Sequence, residues 1–537
     1  MINSHSTLTR LQYWFLGLIL LVALLSNFAG IRAIEFTGED EVMFMVNGLS
    51  FLDGISGHLG RILEIFLFYY PPLQSIVPLP FVAGFGASEW TMRLPSALAG
   101  VLICAFLFRI VRRITADSRS ALLASLLYAA SGVSGNNKFA LTGGLLSLGL
   151  IITFDGLSQF LESTNERTKN RALFWSAFGL IWATLSLQDG LFYIPTLAMA
   201  YGTQYRFKIS RGTLPALIFL IIGIGGYILC WILLPRILCP SSSFGAQKVS
   251  TLLSQLGACR LRELMGGYTT ATSLPVIGLA LILLPLGFFK GSTLLHWMTL
   301  FYGFPLFLWT FVFDYPNLRV SHLLVAFPLF CALWAQGSIK IWDSLHQRAN
   351  GFSCATPWLW ILLMAWSVSA TALQNVFLFG TDRLPQKQAS LLGPVSPDYL
   401  PQGRRFTRFG QHAAGIWIRE NTPPDQKILC NLGGSFSAYY AKRNDAPLNR
   451  LVSNGSNTAR WKADNIRYLV HSSYFSMPKG CPSLELYTPA AQLVMDGHPI
   501  LTIYDLWNET AHASELDYES AKLYFAQHYT SWRDYLR

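Results

Sequence analysis

Charge is what this chain has least of. Only 13% of its 537 residues are Asp, Glu, Lys or Arg, against about a quarter in a soluble domain. An ordinary soluble globular protein is therefore excluded. No Lys/Arg tract is long enough to act as a nucleic-acid arm; the net charge of +11 comes from short basic clusters between apolar runs. A fixed-period repeat is missing, which excludes a solenoid, and there is no low-complexity segment. The 8 cysteines are scattered without metal-ligand spacing, so no zinc site is read from them. The full glycine fingerprint of a nucleotide loop is also absent. Gly433 and Gly434 after a strand-like run are a plain turn, or at most a minimal phosphate loop.

What is present is apolar. Hydrophobic residues make up 52% of the chain, with 16 Trp and 37 Phe, and the mean hydropathy is +0.37. This is a polytopic α-helical membrane protein. Residues 11–31 are long enough to span; a cleaved signal peptide is the rival reading, but the apolar stretch exceeds the usual ~7–15 residues. Further spans are read near 92–112, 119–136, 140–161, 172–188, 190–205, 214–236, 273–289, 293–313, 319–337 and 357–378. The stretch to about residue 70 mixes Asp53, His58, Arg61 and Glu64 with apolar residues and suits the membrane interface. Residues 72–86 are short for a span, and their prolines remove backbone donors that lipid cannot replace. Charge settles this segment. With 72–86 interfacial and the N-terminus cytoplasmic, the clusters Arg109/Arg112/Arg113/Arg119, Arg167/Lys169/Arg171 and Arg206/Lys208/Arg211 all fall inside, as do Lys290 and Lys340/Arg348. That is the positive-inside pattern, and it gives about 11 spans.

In this topology the stretches around 32–90 and 237–272 are outer loops, and the last 160 or so residues are outside as well. A loop of that second length is usually functional. The domain plan is a membrane domain over 1–380, a linker over 381–402, and a small α/β extracytoplasmic domain over 403–537. In that domain 410–420 reads as a helix, 421–425 as a turn, and 427–432, 466–471 and 499–506 as strands. Cys239 with Cys259, and Cys430 with Cys481, lie outside and either pair or remain thiols; spacing does not decide between these.

Three acids, Glu39, Asp40 and Glu41, follow the first span, and an apolar run begins at once at Val42. They are either a polar collar ending the span or a site, because carboxylates held beside a membrane need water, a metal or a cation. The surrounding motifs favour the site. Asp40-Glu41, then Pro71-Pro72-Leu73, then Ser88-Glu89-Trp90-Thr91-Met92-Arg93-Leu94-Pro95-Ser96-Ala97-Leu98 resemble the GT-C membrane glycosyltransferases of family 39. That family includes the protein O-mannosyltransferases and the lipid A aminoarabinose transferases. Residues 319–328 resemble the family's late Arg-Tyr-Leu-Leu-Pro region, and 417–425 the start of its outer domain.

The resemblance implies a GT-C fold and inverting sugar transfer from a polyprenyl-phosphate sugar to a hydroxyl acceptor. It maps the catalytic Asp onto Asp40, with Glu41 beside it. Phosphate leaves as an anion, so one base suffices for the acceptor proton, while cations or a metal hold the phosphate. Arg61, Tyr70, Arg93, Lys138, Arg319 and His322 are the candidate donor-binding residues. Each has a plainer reading: helix entry or snorkelling for Arg93, a solvated loop for Lys138, packing for His322, the aromatic belt for Tyr70. Two positions depart from the family: Gly143 replaces a second acid, and Tyr70 stands where several members place Lys or His. Asp53, Glu64 or Asp189 are the substitutes for the missing acid. A divalent metal is compatible with the reading, with Asp40 as a ligand, but none is required by it.

The expectation is therefore an enzyme of the bacterial inner membrane, acting on its outer face. Its partners are a polyprenyl-phosphate sugar, the bilayer and an unknown hydroxyl acceptor, not nucleic acid. The alternatives are an impaired family member that binds its lipid or a partner, or a membrane transporter. The span centres carry almost no charge, which disfavours the transporter; Asp155 is the nearest exception.

Overall fold

The computed structural model describes residues 9–28, 31, 39–55, 57, 71–136, 142–206, 208, 212–233, 272–308, 310, 324–348, 355–379, 411–430, 437, 441–443, 446, 454, 457–472, 487–495, 498–507 and 514–517. The helices in chain order begin with α1 (Arg10–Phe28), α2 (Glu39–Ile55), α3 (Leu73–Ile76), α4 (Leu79–Phe85) and α5 (Glu89–Thr115). They continue with α6 (Ser118–Ala130), α7 (Gly132–Asn136), α8 (Thr142–Glu162) and α9 (Glu166–Ser186). A 3-10 turn, Gln188–Tyr193, leads into α10 (Ile194–Tyr205), followed by α11 (Leu214–Tyr227), α12 (Leu274–Phe289), α13 (Thr293–Phe307), α14 (Phe327–Arg348) and α15 (Ala355–Phe379). Among the described residues, four helices are long and apolar enough to cross a membrane: Arg10–Phe28, Glu89–Thr115, Gly143–Glu162 and Thr356–Leu373. The proline-rich 72–86 stretch forms α3 and α4, of 4 and 7 residues, each too short to span ~30 Å of hydrocarbon.

The chain divides into two compact units. The first comprises 1–31, 50–78 and 93–395; the second comprises 32–49, 79–92 and 396–537. The acidic start of α2, all of α4 and the first residues of α5 thus group with the C-terminal segment.

The first unit is a helical bundle with α8 and α9 at its centre. They form a hairpin whose turn ends at Asn165, which caps α9 by accepting from the Arg167 N–H at 2.9 Å. Glycines let the two backbones approach closely: a Cβ on Gly149 would meet the Ala183 nitrogen at 2.6 Å, and one on Gly179 the Thr153 nitrogen at 2.5 Å. Small residues serve this purpose in lipid, where dispersion and hydrogen bonding replace the hydrophobic drive. Ser176 donates to the Thr153 carbonyl at 2.9 Å, and the Trp182 indole to the Leu145 carbonyl at 3.1 Å. Phe154, Phe301, Phe327 and Trp334 fill the core without exposed surface. Helix α5 carries Glu89 in its first turn and Arg112 and Arg113 in its last, charges that complement the helix dipole at both ends.

In the second unit the C-terminal segment holds α16 (Gln411–Asn421), β1 (Lys427–Cys430), α17 (Thr458–Ala463), β2 (Ile466–Ser472), β3 (Thr488–Met495), β4 (His498–Asp505) and β5 (Ser514–Asp517). The sheet order is β1-β2-β4-β3-β5, with β1–β2 and β3–β5 parallel and the two inner pairings antiparallel. Alternation along the strands separates two cores. Ile428, Cys430, Val470 and Ile503 pack with Ala414 and Ile418 of α16. Leu429, Leu469 and Leu506 face the other way and pack with Trp461 of α17. Arg443 ties the end of α16 to the chain beyond β1, donating to the carbonyls of Thr422 and Arg419 at 2.6 and 3.3 Å.

Candidate active site

Helix α2 begins at Glu39, so Asp40 and Glu41 stand in its first turn, where the helix dipole favours negative charge. Glu41 has no exposed surface. A carboxylate that leaves water entirely must be met by other groups; Glu41 does make a polar contact. Of Asp40 the structure describes the helical backbone. Seven residues on, and so on the same face as Asp40, the Asn47 side-chain Nδ2 is buried and has no hydrogen-bond partner among the described residues.

The second unit holds another buried acid, one that the sequence shows only as part of the Ser88–Leu98 string, with no role of its own. Glu89 is 4% exposed. It opens α5 behind a reciprocal cap: Ser88 N–H donates to Thr91 Oγ1 at 3.0 Å, and Thr91 N–H donates to Ser88 Oγ at 3.2 Å. This is a capping box with Thr in the third helical position. The Ser-x-x-Thr spacing was visible in the sequence, but the burial of the acid it positions was not.

In the first unit, Arg93 lies one turn beyond Glu89 on α5 and is fully buried. Ser96, three residues further and on the same face, accepts from Gln74 Nε2 of α3 at 3.2 Å. The helix after Pro71-Pro72 is thereby fixed to the Arg93 face of α5. The same short helix leaves Gln74 Oε1 and Ser75 Oγ buried with no hydrogen-bond partner among the described residues. Buried polar atoms of that kind are few in native structures and mark places where a ligand or water belongs. Neither Gln74 nor Ser75 is distinctive in sequence.

Asp189 stands in the 3-10 turn between α9 and α10 and is 5% exposed. It lines a cleft with Tyr193 and Tyr302. At Gly143, the position of the missing acid, a Cβ would meet nothing within 4 Å. Asp53 belongs to α2, and its side chain lies outside the described residues. The remaining candidates, Arg61, Glu64, Tyr70, Lys138, Arg319 and His322, also lie outside them, as do Cys239, Cys259 and Cys481. Cys430 is buried at the end of β1. Among the described residues no group of three His, Cys, Asp or Glu side chains could hold a metal.

Comparison with known proteins agrees with this architecture. Residues 71–230 match the family described as dolichyl-phosphate-mannose-protein mannosyltransferase. A polyprenol-phosphate-mannose–protein mannosyltransferase of Mycobacterium tuberculosis is 27% identical over 188 residues, which are 34% of this chain and 35% of that protein. The chain thus spans about a third of the length of the curated relatives it matches. ArnT from Cupriavidus metallidurans has the same fold, with TM-score 0.56 and 14% identity, over 91% of this chain and 97% of that one. The same enzyme bound to undecaprenyl phosphate aligns with TM-score 0.53. The Archaeoglobus fulgidus oligosaccharyltransferase aligns with TM-score 0.55 and 11% identity, over 86% of this chain and 69% of its own. The chain shares the fold of ArnT and of the oligosaccharyltransferase.

Proposed function

We propose that this chain is an inverting glycosyltransferase that moves a sugar from a polyprenyl-phosphate donor to a hydroxyl acceptor on the outer face of a bacterial inner membrane. What carries the reading is the meeting, on one chain, of the GT-C fold with a helix whose first turn carries Asp40 and Glu41. ArnT, which shares the fold, is seen with undecaprenyl phosphate, and this supports a lipid-phosphate donor here. About 11 spans, with 381–402 as a linker and 403–537 as an outer domain, complete the proposed arrangement.

In this reading the acceptor oxygen attacks the anomeric carbon from the face opposite the phosphate. The bond between that carbon and the phosphate oxygen breaks, and polyprenyl phosphate leaves as an anion. Asp40 takes the acceptor proton as general base. Glu41, buried in the same helical turn, sets the local charge. Arg93 supplies positive charge toward the leaving phosphate, joined by Arg61, Lys138, Arg319 and His322, with Tyr70 against the sugar. No step requires a metal.

A second reading has two positions in its favour. Gly143 lacks the family's second acid and Tyr70 stands where several members place Lys or His, so the chain could bind the donor without turnover. Both are tested with membranes containing the full chain, a labelled undecaprenyl-phosphate hexose, and analysis of cell lipids and glycans with and without the gene. Donor-dependent labelling that is lost in Asp40→Asn supports transfer. Donor binding with no labelled product would favour the second reading.

A further inference from the structure

We propose that the outward stripe of α9, Arg167–Arg171–Trp175–Phe178–Trp182, is a binding site for an anionic phospholipid of the surrounding membrane. The site does not depend on the glycosyltransferase reading.

The five residues follow one another at steps of three or four, so they lie along one face of the helix. That face is left open while the rest of α9 packs inward. Arg167 and Arg171 are exposed and Trp175 is 37% exposed, whereas Leu173, Ser176, Leu180 and Ala183 are buried. The Trp175 ring stacks on Phe178 at 5.4 Å, and Phe178 tilts toward Trp182 at 6.1 Å. Trp182 donates to the Leu145 carbonyl of α8, and Phe174 stacks on Phe219 of α11 at 4.8 Å. The aromatic ladder is thus fixed between two neighbouring helices, with little freedom to turn its rings away.

At the head of the ladder the charge is unbalanced. The acids nearby are taken: Glu166 accepts from the Tyr205 hydroxyl at 2.6 Å and pairs with Lys169 at 3.6 Å, and Glu162 pairs with Arg113 at 3.8 Å. Arg167 and Arg171 have no ion pair among the described residues.

These features select a ligand class. Two guanidiniums one turn apart match the oxygens of a phosphate. Trp182 lies about 16 Å along the axis from Arg171, and one leaflet of a ~30 Å hydrocarbon core is about 15 Å deep. The stripe therefore has the length of one acyl chain below its headgroup. With the span read over 172–188, Arg171 stands at the membrane edge and Trp175 at the depth where its ring is favoured. A protein partner fits less well, because interface cores are depleted of charge. A zwitterionic headgroup also fits less well, since its own cation would meet the two arginines.

The test uses the full-length protein purified in detergent and native mass spectrometry with added dioleoyl-phosphatidylglycerol or dioleoyl-phosphatidylcholine. The wild type is expected to bind the phosphatidylglycerol about ten- to thirtyfold tighter, the effect of two cations near a lipid headgroup. Arg167→Gln with Arg171→Gln should remove most of that preference. Lys208→Gln with Lys290→Gln, which deletes two exposed cations off the stripe, should leave it unchanged. Glycerol 3-phosphate, a headgroup without chains, should not displace the bound lipid. The assignment is overturned if the wild type shows no preference or if the arginine variant keeps it. An equal loss in the lysine variant would show diffuse charge rather than a site, and would also overturn it. Displacement by glycerol 3-phosphate would leave the aromatic ladder without a role, with the same consequence. Tighter binding of undecaprenyl phosphate than of phosphatidylglycerol, lost in the arginine variant, would replace the phospholipid with a polyprenyl lipid and overturn the assignment made here. Should the arginine pair fail to fold, Arg171→Gln alone decides.

Discussion

Arg113 donates through Nη1 to a carboxylate oxygen of Asp155 at 3.0 Å, and Asp155 has no exposed surface. Arg109 adds a second ion pair at 3.2 Å, and Gln159 donates to the other oxygen at 2.8 Å. The acid that most resembled a transport residue in the sequence is thus occupied by cations from α5. It holds α5 to α8.

Removing Asp155 leaves the mostly buried Arg113 guanidinium with only its longer contact to Glu162, at 3.8 Å. Asp155→Ala is expected to destabilise the protein by about 3–5 kcal/mol. The check is thermal unfolding in detergent, with Asp155→Leu combined with Arg113→Met as the companion. The double variant should recover much of the loss, since replacing both charges with apolar groups is often neutral. A single variant as stable as the wild type would show that the contact contributes nothing.

At the start of α2 the expected losses are in rate. Asp40→Asn should lower sugar transfer by about 10²–10⁴-fold, the usual weight of a general base, with donor binding retained. Glu41→Gln should reduce transfer less and leave folding intact, because the amide keeps the shape of a fully buried side chain. Initial rates and donor affinity measured on the same preparations separate the two effects. Unchanged transfer in Asp40→Asn would remove the assignment.

Gly143 offers a gain rather than a loss. A Cβ there meets nothing within 4 Å, and the residue is the second of α8. An Asp near a helix N-terminus is favoured by the dipole, and replacing Gly lowers the entropy of the unfolded chain. Gly143→Asp should therefore leave the unfolding midpoint unchanged or slightly raised. Transfer that rises with it would identify the second acid as the missing element. A clear fall in stability would contradict the open surroundings seen at this position.

The C-terminal sheet should weaken in alkali. Burial raises the Tyr468 phenol above its ordinary value, with Asp505 adding to this and Arg467 opposing it. Burial also raises Tyr504. The folded state then holds protons that the unfolded chain releases above about pH 10. Stability is complete below that pH and declines as pH rises through the folded values. Hydrogen exchange in β2 and β4 of the full chain, followed from pH 8 to 11, should show protection fading at the upper end. Tyr468→Phe with Tyr504→Phe should flatten the change.

Parts of the sheet were legible and parts were not. Lys427–Cys430, Ile466–Ser472 and His498–Asp505 carry β-branched and apolar residues in runs, and all are strands. Thr488–Met495 carries Pro489 and two alanines, and such a run does not read as a strand. It pairs nonetheless, with a register shift between Pro489 and Ala491 that accommodates the proline. Its neighbour Ser514–Asp517 is acidic and short, and becomes a strand through its pairing with Ala491–Val494. Here partners supplied what local propensity did not.

The candidate site divides along the same line. The sequence by itself determined the membrane class and the approximate course of the helices. It also determined the acids at the start of α2 and the arginine on α5. Those signals are local: lipid offers no partners to backbone or charge, so long apolar runs and the placement of charge carry them. Only the tertiary structure decided that Glu41, Glu89 and Arg93 are buried, that Gln74 reaches Ser96, and that Asp189 and Tyr302 line one cleft. Those facts depend on how closely glycine-lined helices approach and how aromatic rings lock together, as Gly149, Gly179 and the Phe154–Phe301–Tyr302 cluster show. Close packing between distant segments is a property of shapes meeting in space, and no local pattern in the sequence records it.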